Sequence, residues 1–313
     1  MAPPAPTVRP YTGNGPYCYT NSLISVLGPD APSAAVVETL TGSPFGFQLL
    51  AGDLPLFDPY GWNPNLGLDQ ALGLLGYTWQ SHTAKSAPEA LAALKRALQA
   101  GPVFVGPLDM GLLLHQPGSD RPSGADHYVV ALAVEGGAVI MHDPQGHPWA
   151  SLPAGAFCAA WQADRIGYGQ PYAMRTDFVR VREVDPLDAV RASLPLAAAW
   201  ARGRGLPVPP GTLGGRAGLE RLAERAERQL DPGLQQMLSG FSLRLGARRR
   251  ADAAQNLQAA GEVELALRLQ DQARVLGALQ YPAVTGDGQA LGAGFRQLAD
   301  LSEQVATSLT ARV

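Results

Sequence analysis

The sequence predicts an α+β domain over residues 1–185 followed by an all-α helical domain over residues 186–313. Three observations carry this. Up to about residue 176, short runs rich in Val and Ile alternate with Gly/Pro turns. From Pro186 onward, apolar residues recur at helical spacing with charges between them. The change falls within "TDFVRVREVDPLDAV", residues 176–190. A chain of 313 residues that is 46% hydrophobic and 16% charged has the length for two domains and the apolar side chains to core them.

The first element is "NGPYCYTNSLISVLG", residues 14–28: a Gly/Pro/Asn loop, then Cys18, then Leu23, Ile24, Val26 and Leu27 at a spacing that suits one helix face. A sulfur in the first turn of a helix lies at the positive end of the helix dipole, which lowers its pKa. "SAPEALAALKRALQAG" (86–101) reads as a helix capped by Ser86, with Pro88 and Glu89 in its first turn and Gly101 past its end. "GPVFVGPLDM" (101–110) reads as a strand, and "SLPAGAFCAAWQA" (151–163) as a short helix that buries Cys158 in the core.

Beyond residue 186, "GRAGLERLAERAERQL" repeats Leu219, Leu222, Ala226 and Leu230 as an apolar stripe. "RGRGLPVPPGTLGG" (202–215) reads as a linker. Residues 247–280 read as one long helix or as two broken near Gly261, and 291–313 as a final amphipathic helix. "RLGARRR" (244–250) reads as a solvated basic face, with docking of an acidic carrier protein as the alternative.

A net charge of −3 gives no reason to expect nucleic acid or an anionic membrane as partner. "MAPPAPTVRP" lacks the apolar stretch of a secretory signal, no apolar run is long enough to span a bilayer, and two distant cysteines form no disulfide framework. The expectation is a cytoplasmic protein with reduced thiols.

The chemistry concentrates in "GADHYVVALAVEGGAVIMHDPQG", residues 124–146, which reads as a β-hairpin. Register decides whether its polar ends meet. A three-residue turn, Glu135–Gly137, pairs Val134 with Ala138 and Val129 with Asp143, so His127 and Asp143 lie diagonally on one face. A two-residue turn puts them on opposite faces unless something corrects it. An imidazole oriented by a carboxylate is the base half of a nucleophilic triad, and Cys18 supplies the sulfur. The competing metal reading gathers His142, Asp143 and His147, with His115 or His82, but no third ligand stands at a recognisable spacing. Neither metal nor cofactor is expected.

"GPYCYTNSLISVLG", "GADHYVVALAV" and "VIMHDPQG" together resemble the papain-like cysteine-protease domain of bacteriocin leader peptidases. They are closer in pattern to the N-terminal domain of butirosin biosynthesis protein H, in which a helical domain follows. The likeness covers residues 10–185, and more loosely the remainder. It implies a papain-like fold with Cys18 as nucleophile, His127 as general base and Asp143 as its orienter. The leader peptidases usually carry Gln six residues before the cysteine and Gly directly after it; Thr12 and Tyr19 stand here. Asn14 is then the candidate oxyanion donor from the same loop.

The implied activity is transfer of an acyl or aminoacyl group from a carrier-protein thioester to the amine of a small acceptor, as in antibiotic biosynthesis. Tyr19, Asp109, Tyr60 and Trp62 are candidate substrate-binding residues, the last two in the aromatic loop "FDPYGWNPNLG". A cysteine peptidase or amide hydrolase is the alternative enzyme, and a binding protein that keeps the fold without turnover is the alternative of another class.

Overall fold

The computed structural model describes residues 16–312. Its mixed α+β architecture begins with α1 (Cys18–Leu27), α2 (Ala34–Leu40), β1 (Gln48–Leu50), β2 (Leu54–Leu56), α3 (Pro64–Leu74), β3 (Tyr77–His82) and α4 (Ala87–Ala97). β4 (Val103–Asp109), β5 (Asp126–Glu135), β6 (Ala138–Asp143), β7 (His147–Pro153), α5 (Ala154–Trp161) and β8 (Met174–Arg180) follow. The remainder is helical but for one short strand: α6 (Pro186–Ala201), β9 (Leu213–Gly214), α7 (Gly215–Arg228), α8 (Pro232–Met237), α9 (Leu243–Ala259), α10 (Val263–Ala278), α11 (Gln280–Thr285) and α12 (Gly288–Thr310). Among the described residues, no helix is long and apolar enough to cross a membrane.

The chain forms two compact units. One holds residues 17–34 and 63–184; the other holds 35–62 together with the chain from Asp185 on. The change at 185 thus coincides with the composition shift, but residues 35–62 join the helical unit instead of the sheet unit. The cause is pairing between runs far apart in sequence. β1 pairs with β9 (Gln48↔Gly214, Leu49↔Leu213) as well as with β2. Phe47, Leu49 and Phe57 then complete a core with Leu219, Leu222, Leu243, Leu276 and Phe295. The stretch 202–215 is therefore a linker only up to Thr212.

The sheet unit is built on six antiparallel strands in the order β3-β8-β4-β5-β6-β7. Alternation sorts their side chains. Val105, Leu108, Val129, Ala131 and Met141 share a core with Leu94 of α4 and with Phe157, Cys158 and Trp161 of α5. Phe104 and Tyr128 point the other way, their rings 5.4 Å apart, and Tyr19 of α1 stands edge-on to Tyr128 at 6.1 Å. Gly106 makes this possible, because a Cβ there would lie 2.4 Å from the Tyr128 ring.

Ser86 caps α4 through the Glu89 N–H, as its sequence predicts. The buried face of α1, however, is Tyr19, Thr20, Ser22 and Leu23, while Ile24, Val26 and Leu27 are only half-buried. The face laid on β5 needs small and polar side chains, since the Ser22 hydroxyl donates to the Tyr128 carbonyl at 3.0 Å.

In the helical unit α9 and α10 are separate helices, broken at Gly261 with φ +90°. The basic run is not a solvated face: Arg249 and Arg250 are 2% and 1% exposed. Arg249 pairs with Glu38 at 2.7 Å and Asp58 at 3.1 Å. Arg250 donates to Gln272 and to the Gly46 carbonyl, both at 2.7 Å. Burial, with the charge of Arg249 beside it, pushes the Arg250 pKa down to about 9. Arg249 and Arg250 are structural cations, so they do not belong to a solvated face, while Arg244 of the same run is exposed.

Candidate active site

The hairpin that carries His127 and Asp143 has a two-residue turn, contrary to the three-residue turn expected from its glycines. Gly136 and Gly137 take φ +56° and +80°, and Glu135 pairs directly with Ala138. That register alone would place Asp143 on the Tyr128 face. A β-bulge corrects it: Ala133 pairs with Ile140, but Ala131 pairs with Met141, so Leu132 is the extra residue. Val130 then lies opposite His142, and continuing one step brings Val129 to Asp143. The diagonal contact follows, with His127 Nε2 2.8 Å from Asp143 Oδ1.

Asp143 gathers more than one imidazole. His115 Nε2 lies 2.7 Å from its Oδ2, the Gln116 side-chain amide donates to the same oxygen at 2.6 Å, and the Gln145 N–H donates to Oδ1 at 2.8 Å. All the donors except Gln145 N come from β5 or from the segment after β4, which turns back at Gln116 through its N–H to the Leu113 carbonyl. Burial would raise the Asp143 pKa; the hydrogen bonds from His115 and His127, the charge of His127 and the Gln145 N–H outweigh it and hold the carboxyl well below the usual carboxylate range. The carboxylate, fully buried, is acceptor-only, so both imidazoles present Nε2–H to it. Their Nδ1 atoms are buried and without hydrogen-bond partners among the described residues.

Cys18 opens α1 and is half-buried. Ser22, one turn later on the same helix face, is anchored to Tyr128, the residue after His127. The sulfur is close enough to act electrostatically on the Tyr128 hydroxyl, whose pKa is raised by burial first, then by the charges of Asp126 and Cys18. No hydrogen bond joins the sulfur to His127, whose Nδ1 has none. The structure thus brings His127 and Asp143 together and places Cys18 on a helix packed against the same strand.

Other candidates have different places. Asp109 accepts from the N–H groups of Gly111, Ser123 and Gly124 and from the Ser123 hydroxyl, so it pins a loop instead of facing substrate. Tyr19 is 4% exposed and packs on Tyr128. Trp62 is 5% exposed, donates to the Thr41 carbonyl at 2.9 Å and stacks under Arg249. Tyr60 packs where a Cβ on Gly214 would be, 2.8 Å away. These two aromatics anchor the loop within the helical unit and do not present a binding face. Asn14 lies outside the described residues. Asp126 takes the Tyr168 hydroxyl at 2.7 Å and leaves His127 alone. His142 accepts the Trp149 N–H at 3.1 Å, and Cys158 is buried, which pushes its thiol pKa up.

The sequence groups His115 with Asp143 only in the metal reading, and neither its role as a hydrogen-bond donor nor Gln116 is foreseen there. Their signal was a pair of hydrogen-bonding side chains directly after three leucines in "GLLLHQPG", where a loop tip would be expected to stay polar throughout.

A family model described as the YobF C-terminal domain matches residues 209–310. The uncharacterized protein YobF of Bacillus subtilis (strain 168) is 35% identical over 162 residues, which are 50% of this chain and 52% of that protein. The chain therefore spans about half the length of the curated relative it matches.

Proposed function

We infer that this protein is a cysteine-dependent acyltransferase with a papain-like catalytic unit, its acyl group carried as a thioester on Cys18. The observation that carries the reading is the His127 Nε2–Asp143 contact at 2.8 Å, which leaves His127 Nδ1 as the bare nitrogen beside the strand on which the Cys18 helix packs. Nδ1 takes the thiol proton, giving a thiolate–imidazolium pair. The thiolate attacks the donor thioester carbonyl; the tetrahedral adduct collapses, and the departing thiolate leaves with the proton from His127. An amine then attacks the Cys18 thioester, His127 accepts its proton, and Cys18 departs as the thiol with the amide formed. A catalytic hydrogen bond that is open without substrate commonly tightens in the complex, so the absent Cys18–His127 bond is compatible with this role.

A carrier-protein donor and a small amine acceptor belong to this proposal. The hydrolase alternative uses the same three residues with water in place of the amine; the binding-protein alternative uses none of them covalently.

Incubation of the full chain with a short acyl thioester such as acetyl- or aminoacyl-N-acetylcysteamine is expected to add one acyl mass to Cys18, read by intact-protein mass spectrometry, and Cys18→Ala abolishes the adduct. At neutral pH, iodoacetamide is expected to alkylate Cys18 about tenfold faster than an ordinary thiol, because a lowered pKa raises the thiolate fraction. Absence of the adduct together with ordinary alkylation overturns the proposal. Rapid loss of the adduct without any amine present moves the assignment to the hydrolase.

A further inference from the structure

One carboxylate that receives two imidazoles is unusual for a nucleophile–base–orienter set, which needs only one. Asp143 is fully buried, His127 is 1% and His115 10% exposed at the side chain, and both rings approach through Nε2 at 2.8 and 2.7 Å. Gln116 and the Gln145 N–H complete four donors on two oxygens. We propose that His115 is a positioning residue: as a second neutral Nε2–H donor it fixes the Asp143 carboxylate, holds His127 in the Nε2–H tautomer, and draws off part of the charge that would otherwise stabilise a protonated His127.

The sign follows from electrostatics. A carboxylate facing one imidazole favours the imidazolium strongly. The same carboxylate shared with a second donor favours it less, which leaves the His127 Nδ1 lone pair easier to keep free for the incoming proton. Protonation of His115 would act in the same direction through like-charge repulsion across the shared carboxylate. The other titratable groups around the trio are His147 of β7, whose ring stands edge-on to His115 at 5.4 Å, and Asp109 and Asp126, paired in register at this end of β4 and β5. The Cys158 thiol lies on α5, which packs against β4 and β6, and the Cys18 sulfur lies on α1 against β5. Asp109 and Asp126 are held by other donors, which leaves His115 as the group that meets Asp143 directly.

This inference rests on His127 being the base of Cys18 for its consequence, but its test does not. Histidine-selective 15N and 13C labelling of the full chain lets NMR follow the ring nitrogens and the titration of His127 in wild type, His115→Phe and His115→Gln. In wild type, neutral His115 and His127 are expected both to carry the proton on Nε2. In His115→Phe the His127 pKa is expected to rise by about 0.5–1 unit as Asp143 loses its competing donor. His115→Gln, which restores a neutral amide donor without a titrating ring, is expected to bring it back to within about 0.3 unit of wild type.

A proton on Nδ1 of wild-type His115 overturns the proposal without any variant. So does a His127 pKa that stays or falls in His115→Phe, or one that remains raised in His115→Gln. A protein whose Cys18 never acquires an acyl group still yields these titrations, so failure of the acyltransferase assignment and failure of the His115 role are separate results.

Discussion

Arg249→Met lowers the melting temperature by about 10 °C, measured by calorimetry on the full chain, because breaking a buried charge cluster typically costs about 3–5 kcal/mol. Arg249 is 2% exposed and meets two carboxylates, Glu38 and Asp58, that are 0% and 8% exposed at the side chain. Ser43 bonds to Glu38 at 2.9 Å, Gln48 to Asp58 at 2.6 Å, and the Trp62 ring lies 5.3 Å from the guanidinium. Removing the cation takes from both carboxylates the guanidinium that bonds to them, in a low-dielectric interior where neutral donors stabilise an anion far less. The methionine side chain fills comparable volume, so the loss reports charge and not a cavity. Adding Glu38→Gln is expected to recover part of it, since one buried carboxylate charge then goes with the cation while Asp58 keeps the charge of Arg250 near it. A melting temperature within about 2 °C of wild type for Arg249→Met would show that the cluster is not what joins residues 35–62 to the helices.

This cluster marks the limit of what could be read from the chain. In the sequence, Arg248 to Arg250 form a basic run on an amphipathic helix, and such runs lie mostly in water. What turns two of them inward is Glu38 and Asp58, about two hundred positions upstream, and no local periodicity registers a partner at that distance. The same limit explains why residues 35–62 were assigned to the wrong side of the boundary at 185: β1 and β9 are too short to announce themselves, and their pairing is entirely non-local.

The hairpin shows the opposite balance. The pairing of His127 with Asp143 was legible because their alternation along β5 and β6 is a local property and only register had to be supplied. The turn that supplies it was misread: two glycines at positive φ favour the two-residue loop, and the compensating bulge at Leu132 leaves no mark in an unbroken apolar run. The aromatic loop offers Tyr60 and Trp62 as candidates for a site, but Trp62 is held by Thr41 and Arg249, the commoner fate of a large ring beside a polar backbone. His115 illustrates the remaining gap. A histidine on a loop is placed by where that loop folds back, and the turn at Gln116 becomes informative only once β4 and β6 stand in one sheet.

Asp143→Asn is expected to slow acylation of Cys18 by about 10³–10⁴-fold, the order found when the orienting carboxylate of a nucleophilic triad becomes an amide. The reason lies in the count of donors. Asp143 accepts from His127, His115, Gln116 and the Gln145 N–H. An asparagine offers one accepting oxygen and an NH2 group that faces N–H donors, so at least one imidazole must turn away or move its proton to Nδ1. If His127 does so, the nitrogen proposed to take the Cys18 proton no longer has a lone pair to offer. A time course of the acyl adduct by mass spectrometry reads the rate, and a decrease of less than about tenfold would remove Asp143 from the orienting role.

Stability offers a second, independent reading of the same substitution. The folded pKa of Asp143 is depressed below its unfolded value, so its contribution is present above about pH 4 and is lost as the pH falls through that range towards the folded pKa. Wild type is therefore expected to exceed Asp143→Asn in denaturant stability most clearly near pH 5, with the difference narrowing towards about pH 3. A difference that stays constant over that interval would mean that the four donors do not favour the ionised carboxyl, and the electrostatic basis for both the orienting role of Asp143 and the sharing of its charge with His115 would be lost.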